Sequence, residues 1–258
     1  MTGAWAIVKK DFGSYSRSWV GVLGLSSFLL IAGTFFTLFL LGYSRLSFEA
    51  ARKSYEGIEG LGPTGFVLGA FLLNLGIIFL FLTPLLAMRS LAEEKRMGTL
   101  ELLYTFPLSD LEIVLGKYLS LLAQLFFLGL PTLIYAAILR TLGAKVEWGI
   151  VCSGLLGFFL LGATFLSAGL FFSSLTENQI ISAGVTFLFL LGVWILEWAA
   201  SFLPNPLGPR VSLLSPFVHY RDFPLGIVDF SDVAYFLVTI LFFIFLTHRV
   251  VEARNWRG

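Results

Sequence analysis

Ionisable side chains are scarce in this sequence, so the places where they gather are the places where chemistry can occur. Arg89 to Lys117, RSLAEEKRMGTLELLYTFPLSDLEIVLGK, carries five acidic and four basic residues in a chain that is 13% charged. Opposite charges at that density suit a surface that meets water or a charged partner. Catalytic readings find less support. Intramembrane hydrolysis by a Ser-His pair would need Ser26, in Gly24-Leu25-Ser26, to meet His219 or His248. One histidine falls in a loop and the other at a helix end, so neither offers Ser26 a general base. Nucleotide hydrolysis needs a glycine-rich turn ending in Gly-Lys-Ser/Thr, whose amides cradle phosphates. Gly116-Lys117 is followed by Tyr118 and has Leu111 where the leading glycine belongs. No catalytic residue is expected. One cysteine, Cys152, and two histidines make neither a disulfide framework nor a clustered zinc site.

The elements that position these charges are membrane spans. The 258 residues are 57% apolar, and the mean hydropathy is +0.89, which removes a soluble domain from consideration. A net charge of +1 leaves no excess to grip a nucleic-acid backbone. A bilayer core about 30 Å thick takes roughly 20 helical residues to cross. Six apolar runs come to about that length, at about 20–43, 64–88, 118–139, 149–172, 180–203 and 233–251, the last with His248 and Arg249 at the interface. The class expected is an all-α integral membrane protein with six transmembrane helices, forming one domain over 1–258.

Residues 1–19 mix Trp5, Ile7, Val8, Phe12, Tyr15 and Trp19 with charges, and read as an interfacial helix. They are not expected to be a cleaved signal, because the apolar run that follows is too long. With six spans both ends share a side, and that side carries ten Lys or Arg against seven opposite. The bias tilts the termini toward the cytoplasm.

Within the 89–117 segment, Leu91, Met97, Leu100, Leu102 and Leu103 stand beside Glu93, Glu94, Lys95, Arg96 and Glu101, the composition of a short surface helix. Gly98 interrupts it, Thr99 can cap a new turn, and Pro107 ends that piece. Ser109-Asp110-Leu111-Glu112 is a capping box opening the helix that becomes span three.

EEKRMGTLELLYTFPLSDLEIVLGK resembles the diagnostic segment of exporter-type ABC transporter permeases, in particular the six-span subunits akin to gliding-motility and copper-enzyme-maturation permeases. Three more stretches carry the same resemblance in order. AIVKKDFGSYSRSW is similar to the family's amphipathic leading helix with its Lys-acid pair, SSLTENQIISA to its short inner turn, and LSPFVHYRDFPLGIVDFSDVAYFL to its outer segment before the last span. The resemblance implies that 89–117 contains a cytoplasmic coupling helix. It places the ATPase-facing role on Glu93, Glu94, Lys95, Arg96, Gly98, Thr99, Glu101, Leu102 and Leu103, charged residues setting register and leucines filling a groove.

It further implies a pair of cytoplasmic ATPase subunits that bind ATP and Mg, since this chain is expected to hold no cofactor. A second permease copy or a paralogue would complete the translocation unit in the inner membrane of a prokaryote, with both termini cytoplasmic and lipid all round. The function implied is ATP-driven export by alternating access. The alternative is mechanotransmission to an external accessory protein. An ion-coupled secondary transporter is a further rival, which would require buried ionisable groups in the spans.

Polar residues inside the apolar runs have two readings each. Asn74 and Gln124 either hydrogen-bond between helices or line a substrate path or dimer contact. Glu197, flanked by Trp194 and Trp198, either sits in an outer aromatic belt or faces such a path. Pro84 and Pro131 are expected to kink spans two and three. The outer segment 204–232 holds five prolines and cannot be one helix, and a short re-entrant piece around Leu213 to Phe223 fits it. By resemblance it caps the path, with His219, Asp222, Asp229 and Asp232 at the membrane surface, where a hydrated loop outweighs a metal site. Cys152 reads as a small buried residue.

Overall fold

A computed structural model describes residues 2–53, 62–99 and 109–255. All the regular structure among them is helical, as lipid demands of a chain that must satisfy its own backbone. The elements are α1 (Thr2–Arg17), α2 (Trp19–Lys53), a π-helical turn Thr64–Gly69 leading into α3 (Ala70–Ala87), α4 (Ala92–Arg96), α5 (Asp110–Gly129), a 3₁₀ turn Leu130–Thr132, α6 (Leu133–Thr141), α7 (Trp148–Leu175), α8 (Gln179–Ala200), α9 (Leu207–Ser212), α10 (Pro216–Tyr220), a 3₁₀ turn Phe223–Leu225, and α11 (Phe230–Asn255). Six of the described helical stretches are long and apolar enough to cross a membrane: Gly21–Glu49, Thr64–Arg96, Asp110–Thr141, Trp148–Leu175, Gln179–Ala200 and Phe230–Ala253.

The local signals set several of these boundaries. Ser109 and Glu112 form the reciprocal capping box that starts α5. Pro131 lacks an amide hydrogen, and the helix passes through a 3₁₀ turn there before resuming as α6. Asn178 accepts from the Ile180 and Ile181 amides and starts α8.

Helix α7 is the centre of the bundle. Seventy-two per cent of its most apolar stretch is buried, against 17% for the corresponding stretches of the first and fifth spans. It packs against α3, α5, α8 and α11. Small residues let neighbours approach it closely, the means by which helices associate where water supplies no driving force. At Gly157 an added Cβ would lie 2.5 Å from the Phe223 Cβ, so only glycine fits.

One side of α1 packs on the bundle: Ile7 and Val8 are buried, Gly116 of α5 comes against Ala4 and Ile7, and Phe12 meets Phe127 edge-on at 5.8 Å. Trp5 and Trp19 remain exposed on the other side. Cys152 is exposed, not buried. A lipid-facing helix side is as apolar as a packed one, so an apolar neighbourhood does not tell the two apart.

The 204–232 segment breaks into α9, α10 and the 3₁₀ turn, and α10 with that turn inserts into the bundle. Tyr220 and Phe223 are fully buried between α3 and α7. The Tyr220 hydroxyl donates to the Leu72 carbonyl, so a buried polar group finds its partner.

Candidate functional site: an ionic junction at one membrane face

The first amides of any helix have no partner within it. In α4, Leu91 occupies the capping position without a side chain that can serve. A residue from another helix does so instead. Ser173 Oγ, at the end of α7, accepts from the Leu91 and Ala92 amides at 3.1 and 3.0 Å. Lys95 Nζ then donates to the Ser174 carbonyl. At the other end of α4, Gly98 takes a left-handed conformation with φ 68, the usual way a helix is stopped. Thr99 Oγ1 donates back to the Glu94 carbonyl at 3.3 Å.

Glu94 lies at the centre. Its Oε1 meets Lys117 Nζ of α5 at 2.6 Å and Lys10 Nζ of α1 at 3.0 Å. Lys117 also pairs with Asp11 Oδ2 at 2.8 Å, and Lys10 lies 3.6 Å from Asp11 Oδ1. Two cations and two carboxylates thus close a neutral network between α1, α4 and α5. Lys117 is 1% exposed, and a cation so far from water persists only when paired. Burial works against the charge on Lys10, but the hydrogen bond to Glu94 and the attraction of Glu94 and Asp11 outweigh it and hold that ammonium above its ordinary value of 10.5.

Beside the network opens a cleft of about 420 Å³ bounded by α1, the end of α3, α4 and α5. Three buried oxygens on residues that line it have no hydrogen-bond partner among the described residues: Glu94 Oε2, Ser90 Oγ and the Tyr15 hydroxyl. Burial pushes the Tyr15 phenol up from its ordinary value, with Arg89 pulling the other way.

The residues singled out by sequence distribute as follows. Glu94 turns into its own chain, whereas Glu93 is half-buried and Arg96 exposed. Lys95 reaches α7, and Gly98 and Thr99 shape the end of α4. Glu101, Leu102 and Leu103 lie outside the described residues. Gln124 is buried and lines the cleft. Asn74 is half-buried and its amide donates to the Ala70 carbonyl of its own helix at 2.8 Å.

At the opposite face Glu197 pairs with Arg221 of the outer segment. Trp198 beside it is exposed and stacks edge-on with Phe202 at 5.2 Å. His219 contacts Asp232 Oδ1 through Nδ1 at 2.6 Å and the Leu213 carbonyl through Nε2 at 3.0 Å, while stacking on Tyr235 with centroids 3.9 Å apart. Asp222 gives its carbonyl to the Leu225 and Ile227 amides. Asp229 accepts from the Ser231 amide at 3.0 Å, a bond that holds its carboxyl below the ordinary value. No three His, Cys, Asp or Glu side chains converge as metal ligands would among the described residues.

Sequence reasoning did not single out Lys10, Asp11, Lys117 or Ser173. Lys117 stood just before an apolar run, and Lys10-Asp11 was visible as a pair, but nothing local says that they meet across 106 residues. A family model described as ABC-2 family transporter protein matches residues 5–253. No curated protein matches the chain.

Proposed function

Because the chain belongs to the ABC-2 transporter family, we propose that this multi-pass membrane subunit receives the motion of a cytoplasmic ABC ATPase pair through the 89–117 segment and turns it into export. Family membership implies association with such an ATPase. The finer reading has the termini and the 89–117 segment on the cytoplasmic side, ATP and Mg held by the ATPase, and a second copy or paralogue completing the path.

One observation carries it. The α4 segment is tied by directional bonds to three separate elements: to α7 through Ser173 and Ser174, to α5 through Lys117, and to α1 through Lys10. A push on α4 therefore cannot be absorbed locally, and it displaces the ends of α1, α5 and α7 together. Packed elements respond to such a push by switching between discrete arrangements. Exposed Arg96 and Met97 and half-buried Glu93 remain available for the ATPase to contact.

The test is Ser173→Ala, studied with the ATPase in reconstituted membranes. It leaves the Leu91 and Ala92 amides without their acceptor while changing nothing that faces outward. The complex should still assemble, but ATP hydrolysis and span movement, read by spin labels on α5 and α7, should separate. Unchanged coupling in that variant contradicts the reading, as does topology mapping that puts the hairpin outside.

Force transmission to an external accessory protein is the second reading. It is favoured by Tyr220 and Phe223, which fill the outer space between α3 and α7. An external partner bound without a continuous cavity between protomers would select it.

A further inference from the structure

We infer that the cleft beside the ionic junction is a binding site for a phosphoethanolamine headgroup, one that carries a phosphate and a primary ammonium together. The inference concerns only the cleft, and it stands whether or not the coupling reading holds.

Size and place come first. A volume of about 420 Å³ falls in the range of small-molecule sites, about 300–1,000 Å³. The cleft opens where exposed Arg89 and Lys10 meet water, and it is also lined by Leu85, which is exposed on the flank of a membrane span. A ligand there has one end wet and the other beside acyl chains.

Polarity decides the chemistry. Glu94 and Ser90 retain 7% and 9% of their exposure, and Glu94 Oε2 and Ser90 Oγ are left without partners among the described residues, as is the Tyr15 hydroxyl. Leaving such atoms unpaired is unfavourable. A carboxylate oxygen can only accept, so its missing partner is a donor. A primary ammonium supplies three donors, as many as the three unpartnered oxygens on the residues lining this cleft. A quaternary ammonium supplies none.

The charges complete the match. Lys10, Arg89 and Lys117 balance Asp11, Glu93 and Glu94 along the lining. Inside the network the pairing is complete, but Arg89 has no carboxylate within ion-pairing distance and Glu93 no cation among the described residues. Arg89 is placed for a phosphate, which a guanidinium grips through two parallel hydrogen bonds. A zwitterion satisfies both ends and leaves the cleft neutral, whereas an anionic headgroup leaves a net charge.

The test uses the full chain in detergent, incubated with equal amounts of phosphatidylethanolamine, phosphatidylcholine and phosphatidylglycerol of identical acyl chains, with bound lipid counted by native mass spectrometry. One phosphatidylethanolamine should be retained per chain in preference to the other two. Tyr15→Phe and Ser90→Ala each remove a hydroxyl that the protein itself does not use, so they should leave thermal stability unchanged or raised. Each should lower retention about 3- to 10-fold, the worth of one hydrogen bond, and Arg89→Gln should do at least as much. Soluble phosphoethanolamine added in excess separates the sources. If it does not compete the ligand is the lipid, and if it competes at the lipid's own concentration the free compound occupies the same chemistry. Equal retention of the three headgroups, a preference for phosphatidylglycerol, or unaltered retention in Tyr15→Phe and Arg89→Gln would each overturn the inference.

Discussion

The two ends of this bundle are held together by different physics. At one face α1, α4, α5 and α7 meet through ion pairs and through a serine that caps a neighbouring helix, beside a cleft with unpaired oxygens. At the other, the 204–232 segment is wedged between α3 and α7 by Tyr220 and Phe223, with the Tyr220 hydroxyl satisfied by the Leu72 carbonyl. Aromatic packing against a glycine notch depends on shape and loses its contacts over a fraction of an ångström. Ion pairs fall off more slowly with distance and gain strength away from water. One face is thus held by shape and the other by charge.

The contrast can be broken in three places. The largest effect is expected from Phe223→Ala, which empties a fully buried ring site against Gly157 and should cost about 3–5 kcal/mol in thermal or denaturant unfolding. A cost under about 1 kcal/mol would mean that shape does not hold this end. Lys117→Met should cost about 3 kcal/mol, the low end for breaking a buried pair, because Lys10 still faces the stranded carboxylates. Adding Asp11→Asn and Glu94→Gln to it should recover most of that loss. Failure to recover would show that packing, not charge, joins α1 to α5.

The smallest effect concerns pH. The Lys10 ammonium is held above 10.5 in the folded state, so its contribution is whole below that value and vanishes as pH climbs through the folded value. Fluorescence of Trp5, exposed on α1, should report loosening in strongly alkaline solution, and Lys10→Met should abolish that step.

How much of this could be read from residues alone differs by link. The crossings were legible, because a run of roughly 20 apolar residues has one use. So were the capping box at Ser109, the stop at Gly98 and the break at Pro131, each being a rule about neighbours in sequence. The charge density of 89–117 pointed to a segment whose Glu94 meets cations of two other helices. What was not legible is which charges pair. Glu94 and Lys10 lie 84 residues apart, and Asp11 and Lys117 lie 106 apart, so no periodicity connects them. Ser173 stood only as the first residue of SSLTENQIISA, with nothing local to aim it at α4. Cys152, expected buried and found exposed, was misjudged for a related reason. Lipid and protein interior accept the same side chains, so hydrophobicity says that a helix is in the membrane but not which of its sides has a neighbour.

The first crossing carries a geometric consequence. At 1.5 Å per residue, the 35 residues of α2 make a rod about 52 Å long, against a hydrocarbon thickness of about 30 Å. Ordinary inclinations of up to about 40° do not absorb the excess, so one tip stands beyond the hydrocarbon like a mast. A rotation of about 5° about its base would sweep that tip through roughly 4–5 Å, about three helical rises. A change too small to notice at the foot is thus magnified at the masthead.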